Sequence, residues 1–539
     1  MTVRRVFILL SVGIVITELL LAQLWPAVHW LWLLLAPLLL IGCYDLLQTK
    51  HTILRNYPLI GHLRYLFESI RTEMQQYFVE TDLDGRPINR EFRSLIYQRA
   101  KEADDTRAFG TIFDVYRDGY EWLNHSLAPT SCNKDSLRID FGGPMCKQPY
   151  SASVLNISAM SFGALSRNAI LALNRGAKLD KFSHNTGEGG LSPYHLQHGG
   201  DLIWQIGTGY FGCRNQSGEF DAGLFAEKAT LKVVKMIEIK LSQGAKPGHG
   251  GVLPAAKLTK EIAAIRLVAL GEDVISPPAH TAFSNPRGLL DFLTQLRELS
   301  GGKPVGFKLC IGNKREFLCI CKAIQETGIV PDFITVDGGE GGTGAAPIEL
   351  TNSAGMPLRD ALSFVHNALR GIGVRDQLRI IAAGKVFSAF HIIRLMALGA
   401  DTVNSARGMM LALGCIQSRT CNTDKCPTGV ATQNPSRYKQ LDITDKGERV
   451  ANYHHTTVSA LAELLNIIGL DSAEKVTGHH INRRTSQGAV MSYEQIYPEL
   501  PFGCLSNNTQ PPAPWDVDWT RADANSWRES DQLQTSAQS

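Results

Sequence analysis

The chain has 539 residues, 44% hydrophobic and 19% charged, which is enough apolar material for one large core with appendages. Lysine plus arginine number 54 against 51 aspartate plus glutamate; with no basic excess or basic run, nucleic acid is excluded as the expected partner. The 11 cysteines are mostly scattered singly, which excludes a secreted disulfide framework, and three crowd between 415 and 426, which points to a reducing compartment and one metal site.

Val6 to Leu24 is almost wholly apolar, broken by Thr17, Glu18 and Gln23, and after Trp25-Pro26 a second apolar run extends from Val28 to about Tyr44. Each reaches across about 30 Å of hydrocarbon, near the lower length limit. Arg4 and Arg5 before an apolar stretch also suit a signal peptide, but no small-residue cleavage site follows and the second run begins almost at once. Tryptophans crowd the intervening QLWPAVHWLW, as at a membrane interface. Positive charge flanks the pair on both outer sides (Arg4 and Arg5, then Lys50, Arg55 and Arg64) and is missing from the turn. Residues 1–48 are therefore expected to form a transmembrane helical hairpin in contact with membrane lipid, with both ends and the catalytic region cytoplasmic. Glu18 argues the other way, because an ionisable group in lipid is costly unless protonated or paired. The competing reading is a buried helical hairpin in a soluble domain.

Residues 49–130 read as a polar, helix-rich linker, with periodic apolar positions in LRYLFESIRTEMQQYF. Over 131–475 short apolar runs alternate with amphipathic stretches. The expected strands are 154–157, 202–206, 236–241, 305–309, 333–336, 379–383 and 402–405; expected helices include 316–326 and 388–399. Regular β-then-α alternation argues for a parallel sheet, and its length, with glycine clusters after the strands, argues for a closed (β/α)8 TIM barrel of the α/β class. Residues 445–485 look helical. The extension 476–539 ends in about thirty residues rich in Gln, Ser, Asp and Pro, expected to be disordered.

Within FITVDGGEGGTGAAP (333–347), Gly339 to Gly344 form a G-x-G-x-x-G directly after a strand, and Asp360 lies about twenty positions on. A nicotinamide-binding Rossmann turn should open straight into a helix; here AAPIELTNSAGMP follows, with two prolines. A barrel loop whose amides line a phosphate or flavin site fits better. Ala383-Gly384-Lys385 and Ser405-Ala406-Arg407-Gly408 end the next two strands, in the order expected of a barrel phosphate site. Lys308, near the end of the apolar strand VGFKL, needs an anionic partner if buried, or else reaches solvent from the strand end. Cys415-x5-Cys421-x4-Cys426-Pro427 offers three thiolates with no histidine among them and no nearby fourth cysteine; a closed zinc site takes four ligands, so three favour an iron–sulfur cluster.

AMSFGALS (159–166), NTGEGG (185–190), IKLSQGAKPGHGG (239–251), VISPPAH (274–280), DGGEGGTGAAP (337–347) and the triplet with PTGVATQNP (427–435) resemble, in order, the FMN-binding synthase domain of glutamate synthases. The resemblance covers about residues 130–475. It implies FMN at the C-terminal mouth of the barrel, a 3Fe–4S cluster on Cys415, Cys421 and Cys426, and hydride delivery to the imine of 2-oxoglutarate and ammonia. Carried over by motif, Met160, Ser161, Phe162, Gly163, Ala164, Lys308, Gly339, Gly341, Gly342, Thr343, Gly344, Gly384, Lys385 and Arg407 surround the flavin. Lys308 stabilises its reduced ring, Lys246 and Arg266 bind the substrate carboxylates, and Glu188 shapes the substrate pocket.

The chain departs from that family in three ways. Val252 stands where glutamate synthases carry a glutamine. Apolar runs stand where they carry an amidotransferase domain with its cysteine nucleophile, and their long C-terminal domain is missing. The expected activity is reductive amination of a 2-oxo acid, using free ammonia or an amidotransferase partner, with electrons entering through the cluster from a ferredoxin-like or membrane donor. The alternatives are a flavin and iron–sulfur dehydrogenase of another small substrate coupled to a membrane carrier, and a non-catalytic membrane scaffold.

Overall fold

The computed structural model describes residues 2–506 and 510–529; they divide into two compact units, Met1–Arg90 and Glu91–Ser539. In the first, helices Val3–Leu24 and Trp32–Leu47 are joined by a 3-10 turn, Pro26–Leu31. Two stretches, Val3–Leu24 and Pro26–Leu47, are each long and apolar enough to cross a membrane. Their leucines face outward: Leu9, Leu10, Leu33 and Leu40 are all more than half exposed, which is not the pattern of a helical pair buried in protein. Glu18 is buried and paired, its Oε1 lying 2.8 Å from Nδ1 of His29 in the turn. The pairing offsets the desolvation of the carboxyl that counted against a spanning hairpin. Gly42 lies against the Phe7 ring, where a Cβ would overlap it. Asp45, fully buried, accepts hydrogen bonds from the Leu59 amide (3.0 Å) and His62 Nε2 (2.9 Å).

The second unit is built on a closed barrel of eight parallel strands: β1 (Leu155–Ile157), β2 (His184–Asn185), β3 (Leu202–Ile206), β4 (Val234–Lys240), β5 (Val305–Leu309), β6 (Phe333–Asp337), β7 (Arg379–Ala383) and β8 (Thr402–Ser405). Each strand pairs with its neighbours in sequence, and β8 closes on β1. The α/β barrel read from the β-then-α alternation is the observed fold. Connecting helices such as Arg167–Leu179, Pro286–Leu299, Lys314–Thr327 and Leu358–Gly371 pack their apolar stripes on it. Their starts are written locally: Ser166 and Asn285 accept from the amides of Ala169 and Gly288, and Pro286 occupies the first helical turn. Inside the barrel, Glu238 of β4 is fully buried but accepts from Asn185 (2.8 Å), Gln205 (2.6 Å) and Thr335 (2.5 Å), so its lone pairs are satisfied.

Three stretches differ from expectation. The helical linker of 49–130 is helical only as far as Ala100; beyond it the chain runs through turns and irregular segments, and Glu121–Leu123 pairs antiparallel with Ile481–Arg484. The helix expected over 445–485 ends at Ile467, with Gly469 in a left-handed conformation (φ +80°) just past it. Where disorder was expected near the C-terminus, a helix Trp515–Arg521 docks on Lys314–Thr327. Trp515 stacks on Phe364 at 5.0 Å, and Lys322 Nζ donates to the Ala522 carbonyl at 2.8 Å; burial of Trp519 on the same helix outweighs the polar composition. Residues 530–539 of that expected tail lie outside the described residues.

Candidate active site

The C-terminal ends of the strands gather the charged residues. Lys308 on β5 and Lys240 on β4 are register partners, so two lysines stand side by side at the rim. Lys308 does not reach solvent. It is 6% exposed, and its Nζ lies 3.4 Å from Oδ2 of Asp337, the last residue of β6. Burial alone would depress its ammonium, but the Asp337 and Glu238 carboxylates outweigh that and raise its pKa. The Asp337 carboxylate also accepts from the Gly244 amide at 2.8 Å.

Lys240 Nζ sits 2.6 Å from Glu188 Oε1. Burial pushes the Glu188 carboxyl up, but Lys240, helped by Arg266 and Lys246, holds it below the usual range and therefore ionised. Lys246 is 2% exposed; burial lowers its pKa, with Glu188 opposing. Arg266, at the end of helix Lys260–Arg266, packs over the Phe211 ring (5.0 Å) and donates to the Phe162 carbonyl (3.3 Å). Burial brings its guanidinium down to about 10, and its Nε has no partner among the described residues. These are two buried cations with spare hydrogen-bonding capacity beside a carboxylate. His280 backs the pair, one ring nitrogen 2.9 Å from the Lys240 carbonyl and the other 3.0 Å from the Tyr210 hydroxyl; burial lowers its pKa to about 4.

The glycine motifs let these loops converge. A Cβ on Gly244 would run into the Gly338 carbonyl, joining the β4 and β6 loops. Gly187 (φ +64°) brings its backbone against the Ser161 amide. Met160 and Phe162 are buried, and Gly163 turns at φ +103° towards Arg266. In the loop after β6, the amides of Gly339 and Gly341 bond to the carbonyls of Met356 and Gly338. Gly342, Thr343 and Gly344 are exposed, and their amides carry no backbone bond among the described residues. The Arg407 guanidinium lies directly against Gly342. Gly384 and Lys385 (φ +49°) turn between β7 and its helix, and Ser405 Oγ ties that turn down by donating to the Val386 carbonyl (2.6 Å). Free amides, Arg407 and the buried Lys308 form a set suited to the phosphate and ring edge of a flavin mononucleotide.

Cys415, Cys421 and Cys426 come together after the short helix Arg407–Ala412, close enough for Cys415 to feel both other thiols and for Cys421 to feel Cys426. Burial pushes Cys415 up to about 12, and raises Cys421 with Cys426 adding to it. For Cys426, burial is outweighed by hydrogen bonds from the Thr428 side chain and the Ala431, Thr428 and Val430 amides, and its pKa falls. Among the described residues no group of three or more His, Cys, Asp or Glu is set to hold a single metal ion. Bridging sulfides spread the ligands of a cluster farther apart than those of one ion. Three thiols, amide donors to sulfur, and the nearby cations Lys257 and Arg407 are a donor set that fits iron–sulfur chemistry. Arg407, whose guanidinium lies against Gly342, feels Cys421 and Cys415 of the cysteine loop as well as Asp337, the partner of Lys308.

Sequence reasoning missed Lys240, Asp337, His280 and Lys257. Lys240 carries the same signal as Lys308, a lysine closing an apolar strand. Asp337 ends a predicted strand directly before the glycine motif. His280 ends the VISPPAH motif, but nothing in that motif alone marks its role, and Lys257 lies in a short turn with no pattern of its own.

Residues 143–471 match the family model described as the conserved region in glutamate synthase. The chain is 37% identical over 490 residues to the glutamate synthase large subunit-like protein YerD of Bacillus subtilis, covering 83% of this chain and 93% of that one. It is 34% identical over 341 residues to the archaeal glutamate synthase (NADPH) of Methanocaldococcus jannaschii, 63% of either chain. Against the glutamate synthase (NADPH) large chain of Bacillus subtilis it is 30% identical over 331 residues, 59% of this chain but 20% of that protein.

Proposed function

This chain belongs to the glutamate synthase family and is an oxidoreductase of that kind; from that premise we propose that it converts 2-oxoglutarate and ammonia to glutamate, with FMN at the barrel mouth and a 3Fe–4S cluster on Cys415, Cys421 and Cys426. The observation that carries the reading is the convergence of Lys308–Asp337, Lys240–Glu188, Lys246 and Arg266 at one mouth, next to the cysteine loop.

Bound FMN would supply the hydride, and the cluster would feed it single electrons. Lys246 and Arg266 bind the two carboxylates of the oxo acid, whose charge compensates cations now buried with little pairing. Lys308 holds a proton at Nζ, kept there by Asp337, and so presents a fixed positive charge that would stabilise a reduced flavin. Glu188, ionised beside Lys240, is enclosed by Gly207 and Gly251, where a Cβ would meet its oxygens at 2.5 Å; it orients an ammonium and keeps bulk water from that end of the pocket. The electrons come from a ferredoxin-like or membrane donor, and the ammonia from solution or an amidotransferase partner. The two apolar helices anchor the chain in a membrane as a hairpin, with the barrel cytoplasmic.

A second reading, a flavin and iron–sulfur dehydrogenase of another small substrate coupled to a membrane carrier, is favoured by Val252. It opens the strand Val252–Leu253 directly after Gly251, which packs on Glu188, so it borders the substrate pocket with an apolar side chain. The test is anaerobic reduction of detergent-purified, flavin- and iron-loaded protein, followed by 2-oxoglutarate and ammonium. Reoxidation of the flavin with glutamate formed is expected. A flavin that stays reduced until a quinone is added overturns the amination and selects the second reading.

A further inference from the structure

The cysteine loop and the loop after β1 are joined by a side chain that belongs to neither. Lys257, in the single turn Ala255–Lys257, is 3% exposed, and its Nζ donates to the carbonyls of Ala164 (2.8 Å) and Cys421 (3.1 Å). The negative groups that act on it are Asp424, Cys421 and Cys426, and among the described residues it makes no ion pair. A second, uncharged link spans the same loops: Gln433 Nε2 donates to the carbonyls of Gly163 (3.1 Å) and Leu165 (2.9 Å). The Ser166 amide also bonds to the Val430 carbonyl (2.9 Å).

Two carbonyls do not repay the desolvation of an ammonium; a buried cation is retained where negative charge joins it. Iron held by three thiolates and bridging sulfides is anionic, and it gains a further negative charge when reduced. We propose that Lys257 is a positioning residue for the cluster: its hydrogen bonds fix Cys421 against Ala164 of the flavin loop, and its charge stabilises the reduced cluster and so raises its reduction potential. This inference rests on the cluster reading above.

The test is an EPR-monitored redox titration of full-length, detergent-purified holoprotein, with iron and flavin content measured on the same samples. Lys257→Met is expected to move the cluster to a more negative potential. Lys257→Arg keeps the charge and is expected to stay near wild type, as is Gln433→Leu, which cuts the uncharged link. If Lys257→Met does not fold, Lys257→Gln keeps one hydrogen bond without the charge, and the same negative shift is expected. No shift, a positive shift, or an equal shift from Gln433→Leu overturns the inference while leaving the cluster reading intact. Wild-type protein with flavin but no iron overturns the cluster reading, and this inference with it.

Discussion

At the scale of single residues, the rim is a set of charges that hold one another in place. Lys308→Met leaves Asp337 buried beside an apolar stem, and losing one partner of a buried pair costs about 3–5 kcal/mol. Denaturant unfolding should show a loss near that range, and Lys308→Met with Asp337→Asn should recover part of it; an additive double mutant would sink the pairing argument. Arg266→Lys should act on binding. A lysine cannot reproduce the forked guanidinium over Phe211, so KM for the oxo acid should rise by roughly 10-fold or more with kcat much less changed; an unchanged KM would remove Arg266 from the substrate site. Lys308 was legible because a lysine inside VGFKL breaks an apolar strand. Lys240 breaks VKMIEIK in the same way, but Glu238 two positions earlier makes that strand look like an alternating polar face. Only the closed barrel shows that both point into one enclosed space. Lys257 could not be read at all, since its meaning lies in two carbonyls far away in sequence.

Elements were legible where burial imposes a pattern. Seven of the eight barrel strands were expected, six of them on mostly apolar runs, because a strand covered on both faces reads as near-continuous hydrophobicity; Thr402–Ser405, with Val403 its one apolar residue, was placed by the β-then-α alternation. The eighth, His184–Asn185, is two residues long, too short for any period, and is held by its neighbours. The strand Ile481–Arg484, central in a three-stranded sheet, carries Asn482, Arg483 and Arg484, so it passes for a helix surface. The glycine loops were legible as places of close approach, but the contact each one makes was not. Gly244 illustrates the difference. An added methyl there meets the Gly338 carbonyl, which is backbone and cannot swing aside, so Gly244→Ala should cost at least about 1–3 kcal/mol, the usual penalty of overpacking. Because the β6 loop would be pushed out with it, flavin retention on gel filtration should fall as well. A variant that keeps both its stability and its flavin would show that this crossing is loose.

For the whole molecule, the barrel stores several histidines in neutral form. Burial lowers His184 to about 3 and His280 to about 4, and also lowers His195, His391 and His454. In the unfolded chain each takes a proton near the usual value of about 6.5. Below that pH the unfolded state binds more protons than the folded one, so stability must fall as the pH falls, by up to about 1.4 kcal/mol per pH unit for each histidine. The loss begins near 6.5 and continues towards 4, where His280 starts to charge in the fold. Depressed carboxylates such as Glu188 and Asp180 act in the same direction, but only at lower pH, below their unfolded values near about 4. The interval between pH 6.5 and 4.5 therefore belongs to the histidines. Unfolding midpoints of the full-length protein in detergent should be level from pH 8 to 7 and drop steeply from 6.5 to 5. Replacing His184, which has no hydrogen-bond partner at either ring nitrogen among the described residues, with Phe should make that drop shallower. A midpoint that stays level down to pH 5 would mean that water reaches these rings and that the interlayer between barrel and helices is not closed.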